Sequence, residues 1–226
     1  MMDLVRAWRP QGLVVLLPVG SLEYHGGYLP MGTDGLLAEA YARESVKGLE
    51  EVDLAPTVYF TTSHEHGSFP HFSVSYLTAV QYLTEVVLAL SSRYASVIVV
   101  NGHGGNQGVL EVVSRELNFV RKKRVRVFHV FGKRRDYHAG SDEGSEVAFV
   151  FPELVGRPPK PGFKEGVFEH LGTDEVSSTG VVEDSEAVTI LRERGGELFR
   201  SKVEELRKII EEELKYAKTI RDSLLH

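Results

Sequence analysis

The feature that most constrains the fold is a short apolar run followed at once by a glycine-rich polar loop, a pattern that occurs twice. GLVVLLPVG (12–20) is too short and too rich in valine for a surface helix, and it ends at a glycine. We therefore interpret it as a buried parallel strand. SVIVVNGHGGN (96–106) repeats the pattern. In a parallel sheet both loops would lie at the same edge, where such folds bind their ligands.

Segments with helical or strand spacing accompany these two runs. The predicted helices cover 34–48, 74–94 and 107–120, and two further strands are predicted over 52–60 and 125–131. Strand and helix therefore alternate along the chain. This order favours an α/β fold of three layers, α/β/α, with a mostly parallel central sheet. A chain of 226 residues suits one well-buried domain, so we expect a single domain over 1–226.

The last third of the chain has two different parts. Segment 151–182 is rich in glycine and proline and lacks clear periodicity. We predict that it is a long excursion over the site or an oligomer contact. From about 184 onward we expect a closing helix, because apolar residues recur three or four positions apart. This apolar stripe consists of Leu198, Val203, Leu206, Ile209, Ile210, Leu214, Ala217 and Ile220.

The composition argues against several classes of protein. A net charge of −6 disfavours nucleic acid as a main partner, since phosphate backbones are bound by clustered positive charge. No apolar run reaches the roughly 18 residues of a membrane-spanning helix. MMDLVRAWRP (1–10) has no secretory signal, so we expect a cytoplasmic protein without a membrane partner. Because the chain has no cysteine, any metal ion must bind imidazole and carboxylate groups.

The first candidate site is the loop GSLEYHGGYLPMGTD (20–34) after the first predicted strand. Glu23 and His25 are separated by one residue, so in extended backbone their side chains point the same way. Asp34 returns later in the same loop, and the glycines would let the chain fold tightly around an ion. The loop therefore predicts two carboxylates and an imidazole at one place. The alternative is a glycine-rich turn with surface charges.

The second candidate site is NGHGGN (101–106), directly after an apolar strand. His103 is flanked by glycines at the carboxyl end of that strand, which favours exposure to a ligand over packing in a core. The glycines also free backbone N–H groups to face an anion or a developing oxyanion. The alternative is a turn that enters the next helix and carries an incidental histidine.

The third candidate is DYHAGSDEGSE (136–146), which we interpret as a small-residue loop after the fourth predicted strand. His138 could act there as an acid or base, and Glu143 as a metal ligand or base. A solvated acidic edge would explain the same residues.

A fourth segment, TSHEHGSFPHFS (62–73), carries a cluster of histidines after the second predicted strand. We interpret its polar groups as supporting the metal ligands or binding substrate, because enough ligands are already available elsewhere. The residues concerned are His64, Glu65, His66 and His71.

Together these four segments, in their order and spacing, resemble the creatininase family of metal-dependent amidohydrolases. GVVEDSEAVTILRERGG (180–196) is similar to the run that leads into the last helix of that family. The resemblance extends from about 12 to 200 and implies a creatininase-like α/β fold. It also implies hydrolysis of an amide bond, with two divalent metal ions that activate water and polarise the carbonyl oxygen.

The resemblance implies a particular set of metal ligands. Glu23, Asp34 and His103 would contact one ion, and His25, Asp34 and Glu143 the second. Asp34 would then bridge the two ions. Histidine and carboxylate ligands suit Zn or Fe(II), with Mn as a further possibility.

The resemblance also implies roles for other residues. Glu143 takes the place of a carboxylate that some members carry where this chain has Gly105. His138 matches the histidine that handles the proton of the leaving nitrogen, with Glu143 as the second choice. Many members have a second histidine where this chain has Tyr28, so no role follows for that position. The groups expected to bind substrate are Glu65, His66, Gly104, Gly105 and Asn106.

Within the family, the short chain and its thermophile-like composition most resemble the archaeal deformylases. This resemblance implies hydrolysis of the formamide of 2-amino-5-formylamino-6-ribosylaminopyrimidin-4(3H)-one 5'-monophosphate, with release of formate, in flavin and deazaflavin (riboflavin and F420) biosynthesis. Lys133, Arg134 and Arg135 could hold the 5'-phosphate of this ribonucleotide, although a solvated basic turn would explain them as well.

Two alternative functions remain open from the sequence. One is hydrolysis of creatinine, another cyclic amide or a peptide. The other belongs to a different class, a metal-binding scaffold that has lost catalysis, and Tyr28 is its main support. For either class, segment 151–172 and the resemblance together predict a homo-oligomer.

Overall fold

The central element of the fold is a four-stranded parallel sheet. The computed structural model describes residues 12–223. The strands are β1 (Val14–Val19), β2 (Val52–Leu54), β3 (Ser96–Asn101) and β4 (Val125–His129), in the spatial order β2-β1-β3-β4. Val14 of β1 pairs with Val52 on one side and with Ser96 on the other. The two strands predicted from the repeated pattern therefore lie side by side at the centre of the sheet.

Six α-helices are found in the described part of the chain. They are α1 (Thr33–Ser45), α2 (Tyr76–Leu90), α3 (Gln107–Arg115), α4 (Ser141–Val150), α5 (Thr173–Val176) and α6 (Arg192–Ser223). The predicted helices over 34–48 and 74–94 agree with α1 and α2 apart from their ends. The predicted helix over 107–120 is α3 followed by one π-helical turn at Glu116–Val120.

Side chains alternate between the two faces of the sheet, and both faces are buried. Leu16 and Ile98 pack with α1 and α6 on one face. Leu17 and Val99 pack with α2 and α3 on the other face. Burial on both faces explains why the strand sequences are continuously apolar. The predicted α/β/α fold with a mostly parallel sheet is confirmed.

Two boundaries differ from the prediction. β2 ends at Leu54, because Pro56 has no N–H to donate to the ladder. The closing helix begins at Arg192 rather than near 184. Its predicted apolar stripe is correct, since Leu198, Val203, Leu206, Ile210 and Ala217 are buried.

The interpretation of 136–146 as a loop was wrong for its second half, which is the first part of α4. The small residues of this segment predicted an irregular loop, but in the structure they allow α4 and α6 to pack closely. A Cβ atom added to Gly195 of α6 would lie 1.9 Å from the carbonyl oxygen of Ser145. Asp136 accepts a hydrogen bond from the backbone N–H of Glu143 (2.9 Å), which satisfies one free donor at the start of α4.

A buried ion cluster joins α6 to the rest of the molecule. Glu146 of α4 is fully buried. It accepts hydrogen bonds from Lys202 of α6 (2.5 Å) and from the hydroxyl of Tyr41 (2.7 Å) at one oxygen. Its other oxygen accepts from Arg134 (2.9 Å). One carboxylate therefore binds two buried cations that come from different parts of the chain.

Two sequence-based expectations concern the membrane and the N-terminus. Within residues 12–223, no helix combines the length and the apolar character needed to cross a membrane. MMDLVRAWRP, where we expected no secretory signal, lies outside the described residues.

We expect Glu146→Gln to lower the free energy of unfolding by about 3–5 kcal/mol, because the buried Lys202 would lose its carboxylate partner and the buried Arg134 would lose one of its two. Urea unfolding followed by circular dichroism measures the change. Lys218→Met is the matched control, since Lys218 lies on the same helix but pairs with Glu51 in a partly exposed position. It should cost less than about 1 kcal/mol. Equal effects of the two variants would contradict the role given to the buried cluster.

Candidate metal centre

The candidate site lies where the loops after β1, β3 and β4 meet at the carboxyl edge of the sheet. Because β1 and β3 are neighbours, the loops that follow them adjoin. A cavity of about 450 Å³ opens there, and Glu23, Asp34, His103 and Glu143 are among the residues that line it. The predicted meeting of the polar loops at one edge of the sheet is thus found in the structure.

Three of the predicted ligands converge at one side of the cavity. The Nδ1 atom of His103 lies 3.2 Å from Glu23 Oε2 and 3.2 Å from Asp34 Oδ2. All three side chains are buried. The hydroxyl of Ser21 donates a hydrogen bond to Asp34 Oδ2 (2.6 Å) and so orients that carboxylate. Two oxygens and one nitrogen therefore face a common point.

His25 brings a second set of ligands together on the other side of Asp34. Its Nδ1 lies 2.9 Å from the backbone oxygen of Glu23, an acceptor, so this nitrogen is the donor. Its Nε2 faces Asp34 Oδ1 at 3.4 Å and Glu143 Oε2 at 3.8 Å. Burial lowers the pKa of His25, but the Asp34 and Glu143 carboxylates outweigh burial and raise that pKa to about 9.

These groups fit a pair of divalent cations. Glu23, Asp34 and Glu143 are three buried carboxylates in one small space, and such a cluster requires compensating positive charge. Glu23 Oε2 and His25 Nε2 are buried and have no hydrogen-bond partner within residues 12–223. Glu23, Asp34 and His103 form one set with metal-ligand spacing, and His25, His138 and Glu143 form another. The five residues predicted as ligands are all brought together.

The carboxyl groups of the cluster remain ionised despite their burial. Burial raises the pKa of Glu23, but the neighbouring His103 and His66 rings outweigh it and hold that pKa well below its usual value. Burial likewise raises the pKa of Glu143, and Arg134 and His25 outweigh it and lower that pKa. Ionised carboxylates are the form that binds a cation.

His66 is a third histidine of the centre, which the sequence placed among the substrate-binding groups. Its Nε2 lies 3.2 Å from Glu23 Oε1, and Glu23, His66 and His138 form a further set with metal-ligand spacing. The sequence signal was the HEH triplet, but it did not tell which histidine faces inward. A single 3₁₀ turn (His64–His66) buries His66 and leaves His64 exposed.

His138 faces the same carboxylate, with its ring centroid 4.4 Å from that of His66. Its Nδ1 lies 3.6 Å from Glu23 Oε1. Its Nε2 lies 2.8 Å from the backbone oxygen of Tyr24, which can only accept, so Nε2 carries the proton. Burial, together with the neighbouring His66 and His25 rings, lowers the pKa of His138 to about 4. The neutral ring therefore presents a lone pair on Nδ1 to the site.

Glu143 lies in the first turn of α4, and both of its oxygens have partners. Arg134 donates to Oε1 (2.6 Å), and the backbone N–H of Ala139 donates to Oε2 (2.8 Å). These bonds aim the carboxylate at His25 and leave each oxygen a second lone pair.

The basic run before this loop is engaged in ion pairs within the molecule. Arg134 is buried between two carboxylates rather than displayed to a phosphate. Arg135 pairs with Asp142 (3.2 Å), and Lys133 pairs with Glu205 of α6. The cations suggested for the 5'-phosphate are thus committed elsewhere.

The groups expected to bind substrate differ in position. Gly104 and Gly105 line the cavity beside His103, as does Glu65. Asn106 does not, because it is fully buried and its amide donates to the backbone oxygen of Gly20 (3.1 Å). The structure therefore does not place Asn106 in the lining of the cavity.

Tyr28 has a structural function that the sequence did not reveal. Its side chain is buried. The hydroxyl donates a hydrogen bond to the backbone oxygen of Ala139 (2.8 Å) and lies 3.2 Å from that of Gly140. It ties the loop after β1 to the loop that carries His138.

Segment 151–182 lies over the site, which is one of the two roles predicted for it, the other being an oligomer contact. Val182 exchanges backbone hydrogen bonds with His138 (2.8 and 3.0 Å), and Phe168 lines the cavity. This segment closes the wall of the cavity on the side of His138.

Comparisons with solved structures agree with this fold. Solved structures share the fold: one from Bacteroides fragilis NCTC 9343 has a TM-score of 0.75 at 22% identity and covers 90% of each chain. A creatinine amidohydrolase (creatininase) structure has a TM-score of 0.71 at 22% identity, over 89% of this chain and 90% of that one.

Curated relatives are similar over much of the sequence. A mycofactocin precursor peptide peptidase of Mycolicibacterium smegmatis is 36% identical over 149 residues, which are 63% of this chain and 60% of that protein. The protein of the same name from Mycobacterium tuberculosis (strain CDC 1551 / Oshkosh) is 28% identical over 219 residues, 84% of this chain and 82% of the other.

The family comparison extends over most of the chain. The profile of the creatininase family, described as creatinine amidohydrolase, matches residues 2–210. That range includes all four loops of the site. This chain therefore belongs to the creatininase family of amidohydrolases.

Proposed function

We propose that this creatininase-family amidohydrolase acts on the formamide of 2-amino-5-formylamino-6-ribosylaminopyrimidin-4(3H)-one 5'-monophosphate. Water would add to the formyl carbon, the C–N bond would break, and formate and an amine would leave. The observation that carries the hydrolytic part is the convergence of Glu23, Asp34 and Glu143 with four histidines at one cavity. A volume of about 450 Å³ suits a small molecule.

The walls of the cavity favour a substrate with a flat ring. Four aromatic side chains line it and offer faces on which a pyrimidine could stack. They are Tyr76, Phe131, Tyr137 and Phe168. The phosphate has weaker support, because Arg134 is the one cation among the described residues of the cavity lining and it already binds two carboxylates.

Peptide hydrolysis is a second candidate. The relatives that share 36% and 28% identity with this chain are named as peptidases of a precursor peptide. The same chemistry would cleave a peptide bond, since both reactions break an amide C–N bond. The substrate distinguishes the two candidates, not the metal centre.

The chain's own residues suggest how protons move. Divalent ions held by Glu23, Asp34 and His103, and by His25, Asp34 and Glu143, would lower the pKa of bound water and polarise the amide carbonyl. We assign the proton transfer to His138, whose Nδ1 is free to accept the proton of the attacking water and to return it to the departing nitrogen. Arg134 and Ala139 occupy the oxygens of Glu143, which therefore serves better as a ligand than as an acid.

The donor set suits Zn or Fe(II), with Mn as the alternative. Solved creatininases of the same fold include a Zn–Zn form and a Mn form. We propose two divalent ions per chain, and one domain over 1–226. A cytoplasmic location and the lack of a nucleic-acid partner stay predictions.

Metal analysis and turnover test the proposal together. We expect anaerobically purified protein to contain two divalent ions per chain and to release formate from the formamidopyrimidine nucleotide. A chelator should abolish the release, and added metal should restore it. The dephosphorylated substrate and a panel of peptides are run in parallel. Bound metal without turnover of any amide would refute the enzymatic function and favour the metal-binding scaffold. Cleavage of peptides alone would favour peptide hydrolysis.

Two histidine variants separate metal binding from proton transfer. His103→Ala should lose both the metal and the activity, because it removes a ligand. His138→Ala should keep the metal and lose roughly 10²–10⁴-fold in kcat, the usual contribution of general acid–base catalysis. Metal content and kcat are measured for both, with the exposed His170→Ala as control. An active His103→Ala variant would refute the ligand assignment.

We also propose a homo-oligomer, supported by exposed apolar side chains on α2 and in the loop before it. Leu77 and Tyr82 of α2 are exposed, as are Phe60 and Phe72, with 84% of Leu77 accessible. Exposed apolar surface of this kind is typical of protein contacts. Light scattering should give a mass above the 25.2 kDa of one chain, and Leu77→Glu should reduce it. A monomeric wild-type protein would refute the proposal.

A further inference from the structure

We propose that Glu65 is a positioning residue that orients His103 for metal binding. The inference rests on the proposed metal-dependent function and deepens it. The two nitrogens of the His103 ring face different carboxylates. Nδ1 lies 3.2 Å from both Glu23 and Asp34, whereas Nε2 lies 3.0 Å from Glu65 Oε1. One side of the ring therefore faces the metal position and the other side faces Glu65.

The chemistry of imidazole explains why this arrangement matters. A neutral histidine that binds a metal through Nδ1 must carry its proton on Nε2. A carboxylate beside Nε2 accepts that proton in a hydrogen bond, selects this tautomer and fixes the ring plane. In the structure Nε2 of His103 is close enough to Glu65 Oε1 for a hydrogen bond, but the two groups are not aligned for one.

The glycine at position 105 makes room for Glu65. A Cβ atom added to Gly105 would lie 1.9 Å from Glu65 Oε1 and 2.5 Å from His103 Nε2. Neither approach is possible for real atoms, so any side chain at 105 would push Glu65 away from the ring. A Cβ atom added to the neighbouring Gly104 would meet nothing within 4 Å. The need for glycine at 105 therefore follows from the close pair of Glu65 and His103, both of which the Cβ atom would meet, and not from the loop in general.

The surroundings of Glu65 hold it in place. It lies in the 3₁₀ turn between His64 and His66, and only 16% of its side chain is exposed. Its second oxygen lies 3.4 Å from the hydroxyl of Tyr76, which donates to it. The sequence suggested that Glu65 binds substrate, but its first oxygen is turned to His103. Its effect on the reaction would thus pass through a ligand.

Zinc affinity measured by chelator competition tests the inference directly. Glu65→Ala should weaken Zn²⁺ binding by about 10–100-fold, the usual effect of removing such a supporting carboxylate. Glu65→Gln should lose less, because the amide oxygen can still accept from Nε2. Glu111→Gln, an exposed glutamate on α3, should match the wild-type protein.

The two adjacent glycines give a second, independent pair of variants. Gly105→Ala should weaken Zn²⁺ binding as much as Glu65→Ala does, whereas Gly104→Ala should leave the affinity unchanged. Thermal melting of each variant shows whether it is folded. NMR of the ¹⁵N-labelled histidines in the Zn²⁺-loaded protein reports the tautomer. An Nε2–H of His103 that is hydrogen-bonded to Glu65 and exchanges slowly with water is expected in the wild-type protein, and in Gly105→Ala this N–H should lose the hydrogen bond and exchange faster.

The outcomes separate this inference from the proposed function. Wild-type Zn²⁺ affinity in both Glu65→Ala and Gly105→Ala would overturn the role of Glu65, even if the enzyme hydrolyses its amide. A wild-type protein that binds Zn²⁺ tightly but turns over no amide would overturn the proposed function and leave Glu65 in its role. Failure of the wild-type protein to bind Zn²⁺ would overturn both.

Discussion

The arrangement of this molecule depends on the burial of three carboxylates at one edge of the sheet. Glu23, Asp34 and Glu143 are each almost inaccessible to water, and buried negative charges are stable only when positive charge compensates them. Histidines face them, and Arg134 pairs with Glu143. Divalent metal ions would supply the further positive charge that the three carboxylates require.

The compensation continues away from the site into the last helix. Arg134 bridges Glu143 and Glu146, and Glu146 in turn accepts from Lys202 of α6. Removal of Arg134 or Glu146, the two inner members, would take an ion-pair partner from two buried charges at once. The packing of α6 against α4 and the aim of Glu143 at the cavity are therefore parts of one electrostatic arrangement. This explains why a residue of the closing helix, far from the cavity, is charged and buried.

Much of the site could be predicted because it follows from the order of strands. Glu23, His25 and Asp34 follow β1, and His103 follows β3, which is the neighbour of β1 in the sheet. A continuous apolar run and a glycine-rich loop are local signals, and parallel pairing brings the loops together. The pairing of Arg134 with two carboxylates, by contrast, depends on long-range packing. A basic run in the sequence looks the same whether it faces solvent or a buried acid. The inward turn of His66 was missed because the HEH triplet does not show which histidine faces the cavity. The start of α4 at Ser141 was missed because small residues predict a loop unless the neighbouring helix is known.

Tyr28 and Ala139 show how the fold holds His138 and Glu143 in the same cavity. Ala139 has φ = 50°, a left-handed conformation that costs a non-glycine residue roughly 1–2 kcal/mol. Two hydrogen bonds offset this strain: Tyr28 donates to the Ala139 carbonyl, and the Ala139 N–H donates to Glu143. The left-handed conformation of Ala139 lets His138, which precedes it, point into the cavity. Glu143, which follows it, points into the same cavity. Gly144 admits the tyrosine, because a Cβ atom there would lie 2.6 Å from its hydroxyl. The tyrosine that seemed to favour a scaffold without catalysis is thus a support for the two residues on which catalysis would depend.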